Sequence, residues 1–191
     1  EYTSIKTISK NEVINIEKST ATFPVPSLQV LSNPTTTQII GVIDDGISIR
    51  SDLNHLVINR MPPKPINSVA PITHHGTYVS SRCLFGDINE DMLKKPLQPA
   101  CYIADIPVFG IDRFGTEVSP SESDLIEVID SYVNKNYSKV RIYNLSLGFG
   151  DPINTKQFSL TAKLLDKLSK KYDVLFIVSS GNINFASIDF P

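Results

Sequence analysis

Cysteine is scarce in this 191-residue chain. The two that occur, Cys83 and Cys101, are too few for the disulfide framework that stabilises small secreted domains. We therefore expect two free, buried thiols in a reducing compartment. Hydrophobic residues make up 41% of the chain, which is enough for one domain with a core of its own.

An excess of positive charge and long apolar runs are also missing. Eighteen basic residues stand against twenty acidic ones, and no basic stripe occurs, so nucleic-acid binding is not expected. No apolar run approaches the roughly 20 residues that cross a bilayer, and the start is not a signal peptide, so no membrane partner is expected. With the cysteine content, this favours a cytoplasmic location. The first residue is Glu1 rather than Met, which suggests a processed or trimmed N-terminus.

After an irregular start, strand-like and helical patterns alternate along the chain. Residues 1–37 show little periodicity, and we predict an N-terminal extension or arm there. Val-, Ile- and Tyr-rich runs predict strands at 38–43, 101–109, 139–147 and 173–179. Helical spacing of apolar residues occurs from His75 or Gly76 to about Leu84, at 123–135 behind the capping candidates Ser121 and Ser123, and at 155–172. This alternation predicts an α/β fold, a parallel β-sheet with helices on both faces.

Polar motifs stand at the boundaries of the predicted elements. Asp44 ends the first strand, and His75 opens a helix. A turn that begins at Ser146 ends the third strand, and a Ser-Gly-Asn turn that finishes at Asn182 ends the fourth. In open parallel sheets, ligands bind beyond the carboxyl ends of the strands. Polar features that converge on that edge are hard to explain by packing alone, so we expect a functional site there.

In their order, these motifs resemble those of the subtilisin-like serine peptidases over roughly residues 38–185. The matching segments are Asp44-Asp45-Gly46, His75-Gly76-Thr77, Asn144-Leu145-Ser146-Leu147-Gly148 and Ser180-Gly181-Asn182. The resemblance implies that residues 38–191 are a partial subtilisin-like peptidase domain without its C-terminal part. It also implies peptide-bond hydrolysis by an Asp-His-Ser triad, in the order known for this family.

The resemblance assigns a role to each matching residue. Asp44 would orient His75, which would act as general base towards the serine and then as general acid towards the leaving amine. Asn182 would donate its side-chain amide to the oxyanion of the tetrahedral intermediate. An extended substrate would pair with the backbone of the binding turn, and the first specificity pocket would be lined by the same turn and the segment before Asn182. The residues concerned are Ser146, Leu147, Gly148, Ser179, Ser180 and Gly181.

The nucleophilic serine of the triad has no counterpart in the sequence. The family carries it in a Gly-Thr-Ser-like turn that opens a later helix, and no such turn follows Asn182. We therefore expect a fragment of a serine endopeptidase, inactive alone, whose partners are a peptide or protein substrate and the C-terminal remainder of its own domain. The alternative is a non-catalytic subtilase homologue that binds peptides or has a regulatory role.

Asp45 and the loop at residues 86–91 depart from the usual pattern of the family. Asp45 stands where Thr or Ser is more common. The kexin-like branch shares Asp-Asp-Gly and uses the second acid to bind basic substrate residues, so we expect Asp45 to favour Lys or Arg near the cleavage site. The alternative is a solvated Asp45 that only shifts the titration of the site. Asp52 resembles a calcium ligand of the family, but residues 86–91 have no recognisable ligand spacing. A structural calcium ion therefore stays open, and no cofactor is required.

Other interpretations of these residues exist. A strand that ends in Asp-x-Gly also occurs in phosphoacceptor and nucleotide-binding folds. However, Gly46 stands where a haloacid-dehalogenase site needs a second Asp, and no lysine suited to a receiver domain is evident at a later strand end. His74 and His75 with Asp44 and Asp45 could suggest a metal site. However, adjacent histidines at a helix start rarely bind one ion together, and no third-ligand pattern such as His-Glu-x-x-His occurs. Asn182 could merely cap a turn.

Overall fold

A computed structural model describes residues 29–61, 68–88, 92–147 and 158–179. The strands of its main sheet are β1 (Ile39–Asp44), β2 (Val57–Ile58), β3 (Tyr102–Pro107), β6 (Val140–Leu145) and β7 (Leu175–Val178), and a separate hairpin is formed by β4 (Gly110–Ile111) and β5 (Glu117–Val118). The helices are α1 (His75–Phe85), α2 (Glu122–Asn136) and α3 (Leu160–Tyr172), with short 3₁₀ helices at Ser51–Leu56 and Met92–Lys94. The main sheet is parallel and has the order β2-β3-β1-β6-β7.

Helices cover both faces of the sheet, which confirms the predicted fold class. Successive side chains of a strand point to opposite faces. In β1, Val42 packs in the cluster that includes Val79 and Leu84 of α1, whereas the next residue, Ile43, packs with α2 and α3. Because both faces are buried, the central strands are continuous apolar runs rather than alternating ones.

The predicted elements are present, with boundaries close to those expected. Ser121 is the N-cap of α2, where its side chain and that of Asp124 form a capping box with the backbone. Ser159 caps α3, which begins at Leu160. The predicted start of that helix at 155 lies outside the described residues. Strand β2 and the β4–β5 hairpin were not predicted, since strands of two residues are too short to show a pattern.

Part of the predicted N-terminal arm packs on the domain. Val30 forms an isolated parallel β-bridge with Leu97, and the hydroxyl of Thr36 donates a 2.9 Å hydrogen bond to the carbonyl oxygen of Ala100. Residues 1–28 lie outside the described part of the chain. The described portion of the arm therefore lies alongside the segment that leads into β3.

Both cysteines are free thiols; Cys101 is buried as predicted, whereas Cys83 is only partly buried. Cys101 is 4% exposed, and burial raises the pKa of its thiol to about 11, so it remains protonated near neutral pH. Among the described helices, none is long and apolar enough to cross a membrane.

Candidate active site

The structure brings Asp44 and His75 into direct contact. Asp44 is the last residue of β1 and is 1% exposed. His75 is the first residue of α1, and Nδ1 of its ring lies 2.9 Å from each carboxylate oxygen of Asp44. The His75 side chain is 22% exposed, so one side of the pair is buried and the other is open. A carboxylate only accepts hydrogen bonds, so Nδ1 carries the proton and Nε2 is left as the basic nitrogen.

The electrostatics of the pair favour retention of its proton. The hydrogen bond to Asp44 raises the pKa of His75 above the ordinary 6.5, although desolvation opposes this. Burial raises the pKa of Asp44, while the hydrogen bond from His75 acts in the opposite direction. Both shifts mean that the pair binds a proton more tightly than two isolated side chains. An imidazole held in this way is suited to accept a proton at Nε2 during a reaction.

Asp45 does not face solvent; its carboxylate binds the start of α1. Oδ2 accepts hydrogen bonds from the amides of His74 (3.1 Å) and His75 (2.8 Å), and Oδ1 accepts one from the amide of Gly76 (2.6 Å). Asp45 is 5% exposed, so the alternative of a solvated carboxylate is wrong. Because both oxygens are occupied by backbone amides, the expectation that Asp45 contacts a basic substrate residue has no support in this geometry and stays a prediction.

The approach of α1 to the end of β1 depends on glycine. Gly76 is buried, and a Cβ atom placed on it would overlap the carbonyl oxygen of Gly46 and would lie 3.0 Å from Oδ1 of Asp45. Gly46 itself has φ of +102°, in the region that favours glycine. The Asp-Asp-Gly and His-Gly motifs therefore fit together through their glycines as well as through their side chains.

The predicted binding segments meet at the same edge of the sheet as Asp44. Leu145, which pairs with Ile43 and Val178, precedes Ser146, and Ser179 follows Val178. The amide of Ser179 donates to the carbonyl oxygen of Leu145 (3.1 Å), and its hydroxyl lies 3.4 Å from the carbonyl oxygen of Leu147. The remaining predicted residues, Gly148, Ser180, Gly181 and Asn182, lie outside the described residues.

A third carboxylate, Asp105 of β3, lies behind this edge and was not predicted. It is 3% exposed, and among the described residues its Oδ1 has no hydrogen-bond partner. Its pKa is raised to about 6, chiefly by burial; the nearby Asp45 and Asp44 contribute to the rise, while Arg60 and a hydrogen bond from the Ile47 backbone oppose it. The apolar run of β3 carried no signal that its single acid would be buried next to the site.

We expect Asp105 to make the protein less stable as the pH rises from about 4 to about 7. Its pKa is raised in the folded state, so the folded protein binds the proton more tightly, and stability falls between 3.8 and about 6. A difference of two units corresponds to about 3 kcal/mol. Chemical unfolding of Asp105→Asn across this range should lack that fall. Identical pH profiles for the two proteins would contradict the assignment.

The described residues do not form a calcium site around Asp52. Its carboxylate is paired with the guanidinium of Arg50, with Oδ2 2.6 Å from Nη2 and Oδ1 3.0 Å from Nε. Within the described ranges, no group of three or more His, Cys, Asp or Glu side chains could hold a metal ion. Residues 89–91 of the acidic loop lie outside those ranges. Calcium binding therefore stays an open prediction.

The fold and the paired side chains define an α/β protein with a carboxylate–histidine pair of the kind that serine hydrolases use as general base. The model of the Subtilase family matches residues 35–191, most of the chain, and the chain belongs to this family of serine peptidases. Comparisons with curated proteins and with solved structures gave no significant match. The family match does not distinguish the kexin-like branch, which stays a prediction.

Proposed function

We propose that this chain carries the acid–base part of a serine endopeptidase site. The observation that supports this most directly is the 2.9 Å contact of His75 Nδ1 with both carboxylate oxygens of buried Asp44, at the carboxyl edge of the sheet. In this proposal the nucleophile is a serine outside residues 1–191, since the sequence contains no Gly-Thr-Ser-like turn. The 191 residues alone should therefore not hydrolyse peptides by a triad mechanism.

His75 is the proton carrier in the proposed reaction. Nε2 takes the proton of the serine hydroxyl as the hydroxyl oxygen attacks the scissile carbonyl carbon, and the ring becomes an imidazolium. Asp44 stabilises this cation and keeps the ring in one orientation. The imidazolium then protonates the leaving amine as the C–N bond breaks, which leaves the acyl group on the serine oxygen as an ester. Water attacks this ester while His75 takes its proton, and the imidazolium returns that proton to the serine oxygen as the acid product leaves. Apart from water and substrate, the proposed steps use only groups of the protein.

The substrate is proposed to be a peptide or protein in an extended conformation. It would pair with the backbone of Ser146–Gly148 in the manner of an added β-strand. That turn and Ser179–Gly181 would line the first specificity pocket, and Asn182 would donate to the oxyanion, a contact typically worth about 10²–10³ in rate. The contact between Ser179 and Leu147 supports this arrangement, because it joins the two segments that would form the pocket.

A fluorophosphonate probe tests the proposal, because it reacts covalently with an activated serine. The protein should be prepared with any sequence that follows residue 191, and labelled alongside its His75→Ala variant. We expect labelling of the former and none of the latter, whereas His55→Ala, a change at an exposed histidine, should label normally. The peptidase proposal would be rejected if the folded longer protein is not labelled. Retained binding of extended peptides would then favour the non-catalytic peptide-binding homologue.

A further inference from the structure

We propose that Asp45 is a positioning residue that holds the backbone of His75, while Asp44 holds its ring. The inference rests on the proposed function, in which His75 is the general base. It gives the two adjacent acids separate tasks. It also replaces a contact between Asp45 and substrate by a contact between Asp45 and the catalytic helix.

The start of α1 has no local cap, which is why a remote carboxylate can serve it. The residue at the N-cap position, His74, makes no side-chain capping bond, and the first turn contains no acid. The first amides of a helix have no partners within the helix. Asp45, about thirty residues earlier in the chain, accepts hydrogen bonds from three successive amides, those of His74, His75 and Gly76. An anion at this end of a helix is also favoured by the helix dipole.

The backbone of Asp45 holds the segment that leads into α1 as well. Its carbonyl oxygen accepts hydrogen bonds from the amides of Ile72 and Thr73, each 3.0 Å long. Thr73 has φ of +70°, a strained conformation for a β-branched residue. The carbonyl oxygen of Thr73 accepts a 2.6 Å hydrogen bond from the hydroxyl of Thr77 in the first turn of α1. Asp45 thus binds five consecutive residues, 72–76, and these bonds maintain an otherwise unfavourable turn.

This arrangement determines where the ring of His75 lies. The His75 amide is fixed by Asp45, and its Nδ1 is fixed by Asp44, so the residue is held at both ends by neighbouring residues of one strand end. A ring displaced by about 1 Å can lose on the order of 10² in rate. The negative charge of Asp45 also contributes to the raised pKa of His75. Asp45 therefore acts on the reaction through His75, without touching substrate.

The experiment measures His75 directly in the 191-residue chain, so it does not depend on turnover. The ring is followed by NMR through its titration and through the downfield proton of the Nδ1–H···Asp44 hydrogen bond. We expect Asp45→Ala to lose this proton signal and to shift the His75 titration to lower pH. Asp45→Asn, which retains one acceptor oxygen without the charge, should weaken the proton signal and shift the titration to a smaller extent. It replaces Asp45→Ala in the experiment if that variant does not fold.

Ser121→Ala is the matched control, because it removes the N-cap of α2 and should destabilise the protein by a comparable amount. It should leave the His75 signals unchanged. An unaltered His75 in folded Asp45→Asn, or an equal change in Ser121→Ala, would overturn the inference.

In the peptidase itself, Asp45→Asn should lower kcat for basic and neutral peptides alike; a raised KM for basic peptides only would assign Asp45 to the substrate. Absence of fluorophosphonate labelling with an intact His75 response would reject the peptidase proposal alone.

Discussion

In a peptidase that contains this chain, we expect His75→Ala to lower kcat by about 10⁶-fold, the loss known for the corresponding change in subtilisin. Asp44→Asn should lower it by about 10⁴-fold. Asparagine has only one acceptor oxygen and no charge, so it would neither hold the ring in the tautomer with the proton on Nδ1 as the carboxylate does nor stabilise the imidazolium. The measurement is steady-state hydrolysis of a chromogenic peptide by the three proteins.

The double variant distinguishes a coupled pair from two independent residues. The effects of substitutions at residues that act as a unit are not additive. The enzyme with both His75→Ala and Asp44→Asn should therefore be no slower than the enzyme with His75→Ala alone. His55→Ala is the control for replacement of an exposed histidine and should retain full activity. Losses that multiply in the double variant would mean that Asp44 acts in some way other than through His75.

The same pair predicts the pH dependence of this activity. His75 must be neutral at Nε2 to act as base, and its hydrogen bond to Asp44 raises its pKa above 6.5. Activity should therefore decrease as the pH falls through this raised value. The contribution of His75 to stability depends on pH in the opposite direction. Because the pKa of His75 is raised in the folded state, this contribution is complete below the unfolded-state pKa and is lost as the pH rises through the folded-state pKa.

The main elements of the fold were predictable because each carries a local signal. The central strands are apolar runs, since both faces of the sheet are buried, and α2 has a capping box within its own sequence. The position of Asp44 at the edge of the sheet was also predictable, because the carboxyl ends of parallel strands share one edge. Its contact with His75 followed from the family resemblance, and the structure now places the two together.

The features that escaped prediction depend on residues distant in sequence. A helix cap is normally sought in the residues just before the helix, whereas the carboxylate at the start of α1 comes from Asp45, at the end of β1. Asp105 likewise lies near Arg60 and accepts a hydrogen bond from the Ile47 backbone, both in segments without a periodic pattern. In both cases an acid that is ordinarily expected at the surface is enclosed by tertiary contacts.

Gly76→Ala should impair both stability and catalysis, although alanine is the better helix former. In an exposed helix this change would stabilise the protein by about 1 kcal/mol. At Gly76, however, the new methyl group would overlap the carbonyl oxygen of Gly46 and approach Asp44 Cβ to 3.1 Å. Because these neighbours belong to the backbone and to the strand end, α1 must move away. We expect a loss of about 1–3 kcal/mol in the free energy of unfolding and on the order of 10² in kcat.

Gly86→Ala at the other end of α1 is the matched control, because it separates crowding at the site from a general loss of helix stability. Gly86 has φ of +69°, and nothing lies within 4 Å of a Cβ atom placed on it. With ψ of -150°, Gly86 occupies a region almost confined to glycine, where another residue costs about 1–3 kcal/mol, so both variants should be destabilised to a similar extent. Only Gly76→Ala should change the NMR signals of His75 and reduce kcat. If the two variants affect His75 equally, the contact between α1 and the end of β1 is not what positions the histidine.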